Sequence, residues 1–158
     1  MQNSINMGLT AFGAVSNADQ LTITGDNSLY QVLFPDEIFD YGNNFAASTF
    51  TALQTGKYVF GTVLYFSGLT AAMTNCSVYI QTTSHKYYLM KQSYTALQYT
   101  PAFTYTFSSS IMIPLNATDT VKLYMQFANG TKVVNLPGFT GLTPIRTPYF
   151  YGYLLSSL

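Results

Sequence analysis

The sequence YVFGTVLYF at residues 58–66 indicates the fold class most clearly, because its large apolar side chains alternate between two faces of an extended chain. One face carries Tyr58, Phe60, Leu64 and Phe66, and the other carries Val59, Val63 and Tyr65. A period of two over this length predicts a β-strand. Because both faces are apolar, we expect this strand to be covered on both sides.

Two further stretches repeat this period. The stretch VKLYMQF at residues 121–127 alternates between apolar and polar side chains, which predicts a strand with one buried face. The stretch YFYGYLL at residues 149–155 is apolar on both faces, and its odd positions form a ladder of Tyr149, Tyr151 and Tyr153. Further strands are predicted at 9–15, 29–34, 47–53, 76–82, 86–91, 103–114 and 132–135.

Turn-forming residues separate these strands at short intervals. Gly, Asn, Asp and Pro cluster at 25–27, 42–44, 54–56, 116–119, 129–130 and 137–138. No stretch offers a sustained helical period. About eight to ten short antiparallel strands without helices are typical of a β-sandwich or a β-barrel. The sequence therefore predicts an all-β fold, and its 158 residues suffice for a single domain spanning 1–158.

Charged residues are scarce in this chain. They make up 8% of it, against roughly 25% in an average globular domain. Apolar residues reach 48% and aromatic residues 16%, which excludes a disordered chain. Six basic and six acidic residues cancel, so no charge steers the protein towards nucleic acid or an anionic membrane. Such a low content of charged residues is typical of a chain that covers much of its surface in an oligomer or a particle.

The few charges are unevenly distributed. Residues 1–56 hold five acids and no base, whereas residues 57–158 hold six bases and one acid. Two explanations are open. One is chance in a charge-poor chain, and the other is electrostatic complementarity between two parts of the fold or between neighbouring subunits.

The sequence offers no catalytic constellation, and we predict that the protein is not an enzyme. Cys76 is the only cysteine and His85 the only histidine. Strands 76–82 and 86–91 are predicted to form a hairpin that turns near His85. Cys76 then lies at its far end, roughly 20 Å away at about 3.3 Å per residue. We therefore expect a buried cysteine and a turn histidine, with no Cys–His dyad and no disulfide within the chain.

The acidic residues provide no paired carboxylates for hydrolysis. Asp36 and Glu37 are adjacent and would point apart in an extended segment, so we interpret them as solvated loop acids after Pro35. A calcium ion held by Asp26, Asp36 or Glu37 together with backbone carbonyls is the alternative. No Asp-x-Asp-x-Asp spacing supports such a site, and we expect no cofactor.

Residues 1–15 lack the basic start and the continuous apolar stretch of a secretory signal. No run of about 18 apolar residues could span a bilayer, so we expect no membrane insertion. Proteins released by lysis reach the surface of a virion without a secretory signal. We therefore expect a virion-surface or extracellular location.

Three local patterns occur in a characteristic order. The first joins Phe39-Asp40 to Asn43-Asn44-Phe45 and to Thr55-Gly56-Lys57-Tyr58-Val59-Phe60. The second leads from Ile113-Pro114-Leu115 through Thr118-Asp119-Thr120 into Val121-Lys122-Leu123, and the third is Phe150-Tyr151-Gly152-Tyr153-Leu154-Leu155. Over residues 9–158 this order resembles the globular head of complement first-component subcomponent q and the related tumour necrosis factor superfamily. Thr118 stands where that family usually has glycine.

This resemblance implies a jelly-roll β-sandwich that assembles as a homotrimer, with aromatic residues of the inner sheet facing the threefold axis. The apolar pattern of two strands indicates a subunit interface independently of this resemblance. A two-layer sandwich buries only one face of each sheet, so the second apolar face of strands 58–66 and 149–155 needs a neighbouring subunit. We predict a trimer interface containing Tyr65, Tyr124, Tyr149, Tyr151 and Tyr153. The alternative is that these tyrosines are scattered over a solvent-exposed sheet and form no interface.

A rigid sandwich with variable loops is suited to binding. Two long loops, 92–102 and 136–148, are rich in Thr, Pro and Tyr, and their candidate contact residues are Tyr94, Tyr99, Phe139 and Arg146. Our leading hypothesis is a fibre-head protein that sits among other virion proteins and binds a glycan or protein of the host envelope. The alternatives are a capsid decoration or filament subunit, a secreted adhesion or signalling module like the complement head, and, more distantly, a polysaccharide hydrolase.

Overall fold

A computed structural model describes residues 10–93, 104–138 and 147–158 of the chain. Every regular element in these ranges is a β-strand. In chain order the strands are β1 (Ala11–Val15), β2 (Gln20–Thr24), β3 (Leu29–Gln31), β4 (Asp36–Tyr41), β5 (Phe45–Ala46), β6 (Thr49–Thr51), β7 (Gly56–Ser67), β8 (Asn75–Thr82), β9 (Lys86–Gln92), β10 (Thr104–Leu115), β11 (Thr120–Ala128), β12 (Val134–Leu136) and β13 (Tyr149–Ser157). The predicted all-β class is confirmed.

The strands form two antiparallel sheets. The first sheet runs in the order β2-β12-β7-β13-β1-β4, and β10 pairs with β7 along its whole length. The second sheet runs in the order β5-β6-β11-β8-β9, and β3 pairs with β11. Neighbouring strands are mostly distant in sequence, as β1 and β13 are, which is the arrangement of a jelly-roll sandwich.

Phenylalanine side chains fill the space between the two sheets. The ring of Phe12 in β1 stacks on the ring of Phe45 in β5, with centroids 4.3 Å apart. Phe12 also packs against Phe50 from the second sheet and against Phe60 and Phe150 from the first. All five rings are buried. The period of two in the sequence therefore places large apolar residues in one shared core.

The ten predicted strands each overlap an observed strand, but three observed strands were not predicted. These are β2, β4 and the two-residue β5. The interpretation of Asp36 and Glu37 as loop acids is wrong, because both lie in β4, which pairs with β1. The charges are tolerated there because β4 is the outermost strand of its sheet and has one side open to solvent.

The turns of the sandwich depend on carboxylates that accept backbone N–H groups. The Asp40 carboxylate accepts hydrogen bonds from the backbone N–H groups of Asn44 and Phe45, at 3.2 and 3.0 Å. Asp119 does the same for the N–H of Asn116, at 2.8 Å. The aspartates of the first two sequence patterns therefore close the β4–β5 and β10–β11 connections.

Thr118 adopts a backbone conformation that disfavours its side chain. Its φ angle is +74°, in the left-handed region that glycine occupies without strain. A β-branched residue in this region is an outlier, since the conformation costs roughly 1–2 kcal/mol for a residue with a β-carbon. The glycine usually found here in the resembling family would remove that cost.

Replacement of Thr118 by glycine should therefore stabilise the protein. We expect Thr118→Gly to raise the free energy of unfolding by about 0.5–1 kcal/mol, because the relief of strain exceeds the added entropy of the unfolded chain. Urea unfolding followed by fluorescence would measure it. Thr70, an exposed turn threonine without a positive φ, supplies the control, and Thr70→Gly should lose stability. Equal destabilisation by both variants would contradict the strain at Thr118.

Candidate functional site

The predicted tyrosine ladder of β13 lies on the outer face of the first sheet. Phe150 and Gly152 point into the core, so Tyr149, Tyr151 and Tyr153 point away from it. Tyr149 and Tyr151 stack with ring centroids 5.7 Å apart. Opposite the ladder, β7 presents Val59, Gly61 and Val63, and β1 presents Ala11, Gly13 and Val15. No residue of these two flanking rows is charged.

Glycines beneath the ladder let aromatic rings lie flat on the sheet. A β-carbon at Gly61 would lie 2.3 Å from the ring of Tyr151, and one at Gly13 would lie 2.6 Å from the ring of Phe39. Phe39 in turn stacks on Tyr41, at 5.4 Å between centroids. Any larger residue at Gly61 or Gly13 would have to displace a ring from this surface.

The rings surround a shallow apolar depression. Its volume is about 280 Å³, and its walls come from Ala11, Phe12, Phe39, Tyr149, Tyr151, Gly152 and Tyr153. We call the outward side chains Phe39, Tyr41, Tyr65, Tyr149, Tyr151 and Tyr153, with Val59, Val63 and Met112, the aromatic face. Tyr41 and Met112 remain more than half exposed in the single chain. A contiguous apolar surface of this kind marks an interaction site.

Four of the five predicted interface tyrosines lie together. Tyr65, Tyr149, Tyr151 and Tyr153 belong to the aromatic face. Tyr124 lies on the outer face of the second sheet, separated from the other four by the thickness of the sandwich. Their role in a trimer remains a prediction. The predicted loop contacts Tyr94, Tyr99, Phe139 and Arg146 lie outside the described residues.

The outer face of the second sheet carries a set of residues that sequence reasoning did not single out. Tyr79 lies directly opposite Tyr88 in β9 and opposite Tyr124 in β11. Lysines lie at neighbouring outward positions of β9 and β11. We call this set, which consists of Tyr79, Tyr88, Tyr124, Lys86, Lys91 and Lys122, the tyrosine–lysine face. Its cross-strand register passes through a bulge between Val78 and Tyr79, which the hydrophobic pattern does not reveal.

Cys76 and His85 lie at opposite ends of the β8–β9 hairpin, as predicted. Cys76 pairs with Gln92, whereas His85 lies in the turn, where its Nδ1 is 2.7 Å from the Ser84 hydroxyl. Cys76 is completely buried, and desolvation raises the pKa of its thiol to about 12. A thiol in this environment stays protonated and is a poor nucleophile.

The three candidate calcium ligands do not converge. Asp26 accepts a hydrogen bond from the N–H of Ser28 within a turn, and bonds from Ser28 lower its pKa. Asp36 accepts one from the N–H of Asn17, at 2.9 Å, and Glu37 lies beside it in β4. Within residues 10–93, 104–138 and 147–158, no group of three or more His, Cys, Asp or Glu side chains is arranged to hold a metal ion.

None of the described segments forms a helix long and apolar enough to cross a membrane.

Comparison with solved structures identifies the fold. The globular domain of a zebrafish complement 1qA protein superposes with a TM-score of 0.63 and 18% sequence identity, over 94% of this chain and 99% of that domain. Murine APRIL, of the tumour necrosis factor family, superposes with a TM-score of 0.58 and 15% identity, over 93% of this chain and 99% of that protein. The chain therefore has the jelly-roll fold of these two groups, and the predicted resemblance is confirmed at the level of the fold.

Sequence comparisons add no closer assignment. No family model matches the chain, and no curated protein matches it. At identities of 15% and 18% the likeness establishes a shared architecture. The function must therefore be argued from the surfaces of this chain.

The contact between Gly61 and Tyr151 can be tested by a double-mutant cycle. Gly61→Ala should lower the free energy of unfolding by about 1 kcal/mol, because the new β-carbon overlaps the Tyr151 ring. The same change in a Tyr151→Ala background should cost much less, which gives a measurable coupling energy. Denaturant unfolding at one fixed protein concentration is the measurement. In a Tyr153→Ala background the full cost should persist, and its loss there would contradict a specific contact.

Proposed function

We propose that the protein is a non-enzymatic recognition module, a trimeric fibre-head protein of a virion surface that binds a glycan or protein of the host envelope. The aromatic face mediates assembly with two further copies, and the loops 92–102 and 136–148 contact the host. Other virion proteins anchor the assembled module. The location is the virion surface or another extracellular setting.

The aromatic face is the observation that carries this proposal. Its tyrosines, phenylalanine and valines form an apolar surface around a depression of about 280 Å³, and Asp36 of the edge strand β4 lies at its border. Water contact with this much apolar surface is unfavourable, and a second protein surface would remove it. Tyrosine suits such an interface because its ring packs while its hydroxyl stays hydrogen-bonded to water or to a partner.

The fold and the chemistry of the chain support the same function. A rigid sandwich of two sheets holds loops in place without depending on their sequence. The complement 1qA domain and APRIL share this architecture. The protonated Cys76 and the turn residue His85 are held apart by their hairpin, which favours binding over covalent catalysis.

A secreted adhesion or signalling module is the second candidate. It is favoured by the likeness in fold to the complement domain and by three exposed asparagines in Asn-x-Ser/Thr triplets, Asn75, Asn116 and Asn129. Mass spectrometry of the protein from its native source distinguishes the two candidates. Occupied glycans at these asparagines would favour the secreted module over the virion protein.

A charge in the aromatic face should abolish assembly. Light scattering after size exclusion should give wild-type protein a mass of three times 17.5 kDa. Tyr151→Asp should give a monomer, because the interface would bury an unpaired carboxylate. Leu53→Asp, which places the same charge at an exposed residue outside the face, should remain trimeric. A wild-type monomer at all concentrations, or a trimer of Tyr151→Asp with unchanged melting temperature, would refute the assembly.

Host recognition can be tested separately from assembly. Labelled trimer should bind host cells or arrayed envelope glycans, and Tyr99→Ala and Arg146→Ala should reduce that binding while the mass stays trimeric. Loss of one aromatic or arginine contact at a binding site commonly weakens affinity tenfold or more, about 1.4 kcal/mol. Lys132→Ala serves as the control outside these loops. A trimer that binds neither cells nor glycans would favour the structural role of a capsid or filament subunit.

A further inference from the structure

The tyrosine–lysine face is ordered in three rows across the second sheet. Gln81 of β8 lies opposite both Lys86 and Lys122, and Tyr79 lies opposite both Tyr88 and Tyr124. Ser77 lies opposite Lys91 and Gln126 in the third row. Adjacent rows are two residues apart along β8 and β11, roughly 7 Å. A band of tyrosines is therefore bordered by lysines on both sides.

The positive charge of this band is not neutralised within its strands. β3, β8, β9 and β11 contain no aspartate or glutamate. The Lys86 ammonium lies 4.8 Å from the centre of the Tyr79 ring, and the Lys91 ammonium lies 5.2 Å from that of Tyr88. The rings hold the lysine side chains over the band. An anion that approaches the band would therefore meet two ammonium groups held close to its surface.

The buried hydroxyl of Tyr79 is a second indication that the tyrosine–lysine face binds a ligand. Tyr79 is 1% exposed, and within the described residues its hydroxyl has no hydrogen-bond partner. Tyr88 and Tyr124 pack against its ring, at 5.4 and 5.7 Å between centroids. Burial of an unpaired hydroxyl is unfavourable. A ligand oxygen that accepted a hydrogen bond from Tyr79 would remove that penalty.

We propose that the tyrosine–lysine face binds an acidic polysaccharide. Carboxylate or sulfate groups would pair with Lys86, Lys91 and Lys122. Once an anionic group has drawn Lys91 from above the ring, the C–H faces of the sugar rings would pack on Tyr88, which is 51% exposed, because aromatic faces attract weakly positive hydrogens. When an anionic group draws Lys86 away from the ring of Tyr79, the Tyr79 hydroxyl becomes able to donate to the sugar.

The exposed ring of Tyr88 beside the lysines favours a polysaccharide over an acidic peptide. A peptide of acidic residues needs the ammonium groups but makes little use of exposed ring faces. A chain of acidic sugars uses both, since each unit has an apolar C–H face and an anionic group. The face also lies opposite the aromatic face across the sandwich, so a trimer could bind the ligand while assembled.

This inference rests on the proposed recognition function and deepens it by naming a ligand class and a face outside the loops. Binding to the purified trimer is measured by calorimetry with four probes: heparin fragments, polygalacturonate fragments, neutral dextran and polyglutamate. Heparin or polygalacturonate should bind, whichever anionic group the face prefers. Dextran should not bind, and the affinity for the acidic sugar should fall as salt is added.

A matched pair of double variants tests the site. The Lys86→Gln, Lys91→Gln protein should bind the acidic sugar at least about tenfold more weakly, because two charge-assisted contacts are lost. The Lys57→Gln, Lys132→Gln protein has the same net charge, but its changes lie in β7 and in the β11–β12 connection. It should bind within about twofold of wild type. Equal losses in both proteins would show an unspecific charge effect and overturn the proposal.

Tyr79→Phe separates a binding role from a structural one. It removes only the unpaired hydroxyl, so the melting temperature without ligand should stay the same or rise. Affinity for the acidic sugar should nevertheless fall several-fold. Unchanged affinity would refute the hydroxyl contact, and polyglutamate binding as tight as sugar binding would replace the polysaccharide with an acidic polypeptide. Light scattering on the same samples reports assembly independently, so failure of the trimer and failure of this site are distinguishable.

Discussion

The stack of Phe12 on Phe45 joins β1 of the first sheet to β5 of the second at the centre of the aromatic core. The rings lie 4.3 Å apart and 9° from parallel, which holds β1 against β5 across the core. Gly152 leaves room for this packing, since a β-carbon there would lie 2.5 Å from the Phe60 ring and 2.8 Å from that of Phe12. Because Phe150 and Gly152 point inwards, the tyrosines that alternate with them in β13 must point outwards. The core thus dictates the aromatic face.

Long strands were predictable because one burial period runs through most of their length. β7 alternates except at the buried Gly61 and β11 except at its last residue, Ala128, and both were placed from the sequence. β2 was missed because its pattern is interrupted at Thr22, whose φ of +50° departs from extended geometry. β4 was missed because aspartate and glutamate are rare in strands and follow Pro35 here. Its position at the sheet edge, which makes the charges acceptable, exists only in the tertiary structure.

The surface residues of the candidate sites were also predictable only where they depend on a single strand. Alternation correctly assigned Tyr124 and Tyr151 to outward positions, because it separates the core side of a strand from the other side. It does not say to which sheet a strand belongs, so Tyr124 was grouped with residues that lie across the sandwich. Tyr79 was not singled out, because its surroundings come from strand pairing through a bulge. Surfaces made by one strand can be predicted, whereas surfaces made by three strands need their register.

The acidic and basic residues are unevenly distributed along the sequence because they have different structural roles. The aspartates serve mainly as acceptors for backbone N–H groups at turns and strand ends; they are Asp19, Asp26, Asp36, Asp40 and Asp119. Four of these five fall in the first 56 residues, which contain six of the thirteen described strands and therefore many connections. The lysines of β9 and β11 instead project from one sheet, where no acid of the same strands offsets them. A chain with zero net charge can thus present a locally basic surface, because its acidic residues lie in turns and in other strands.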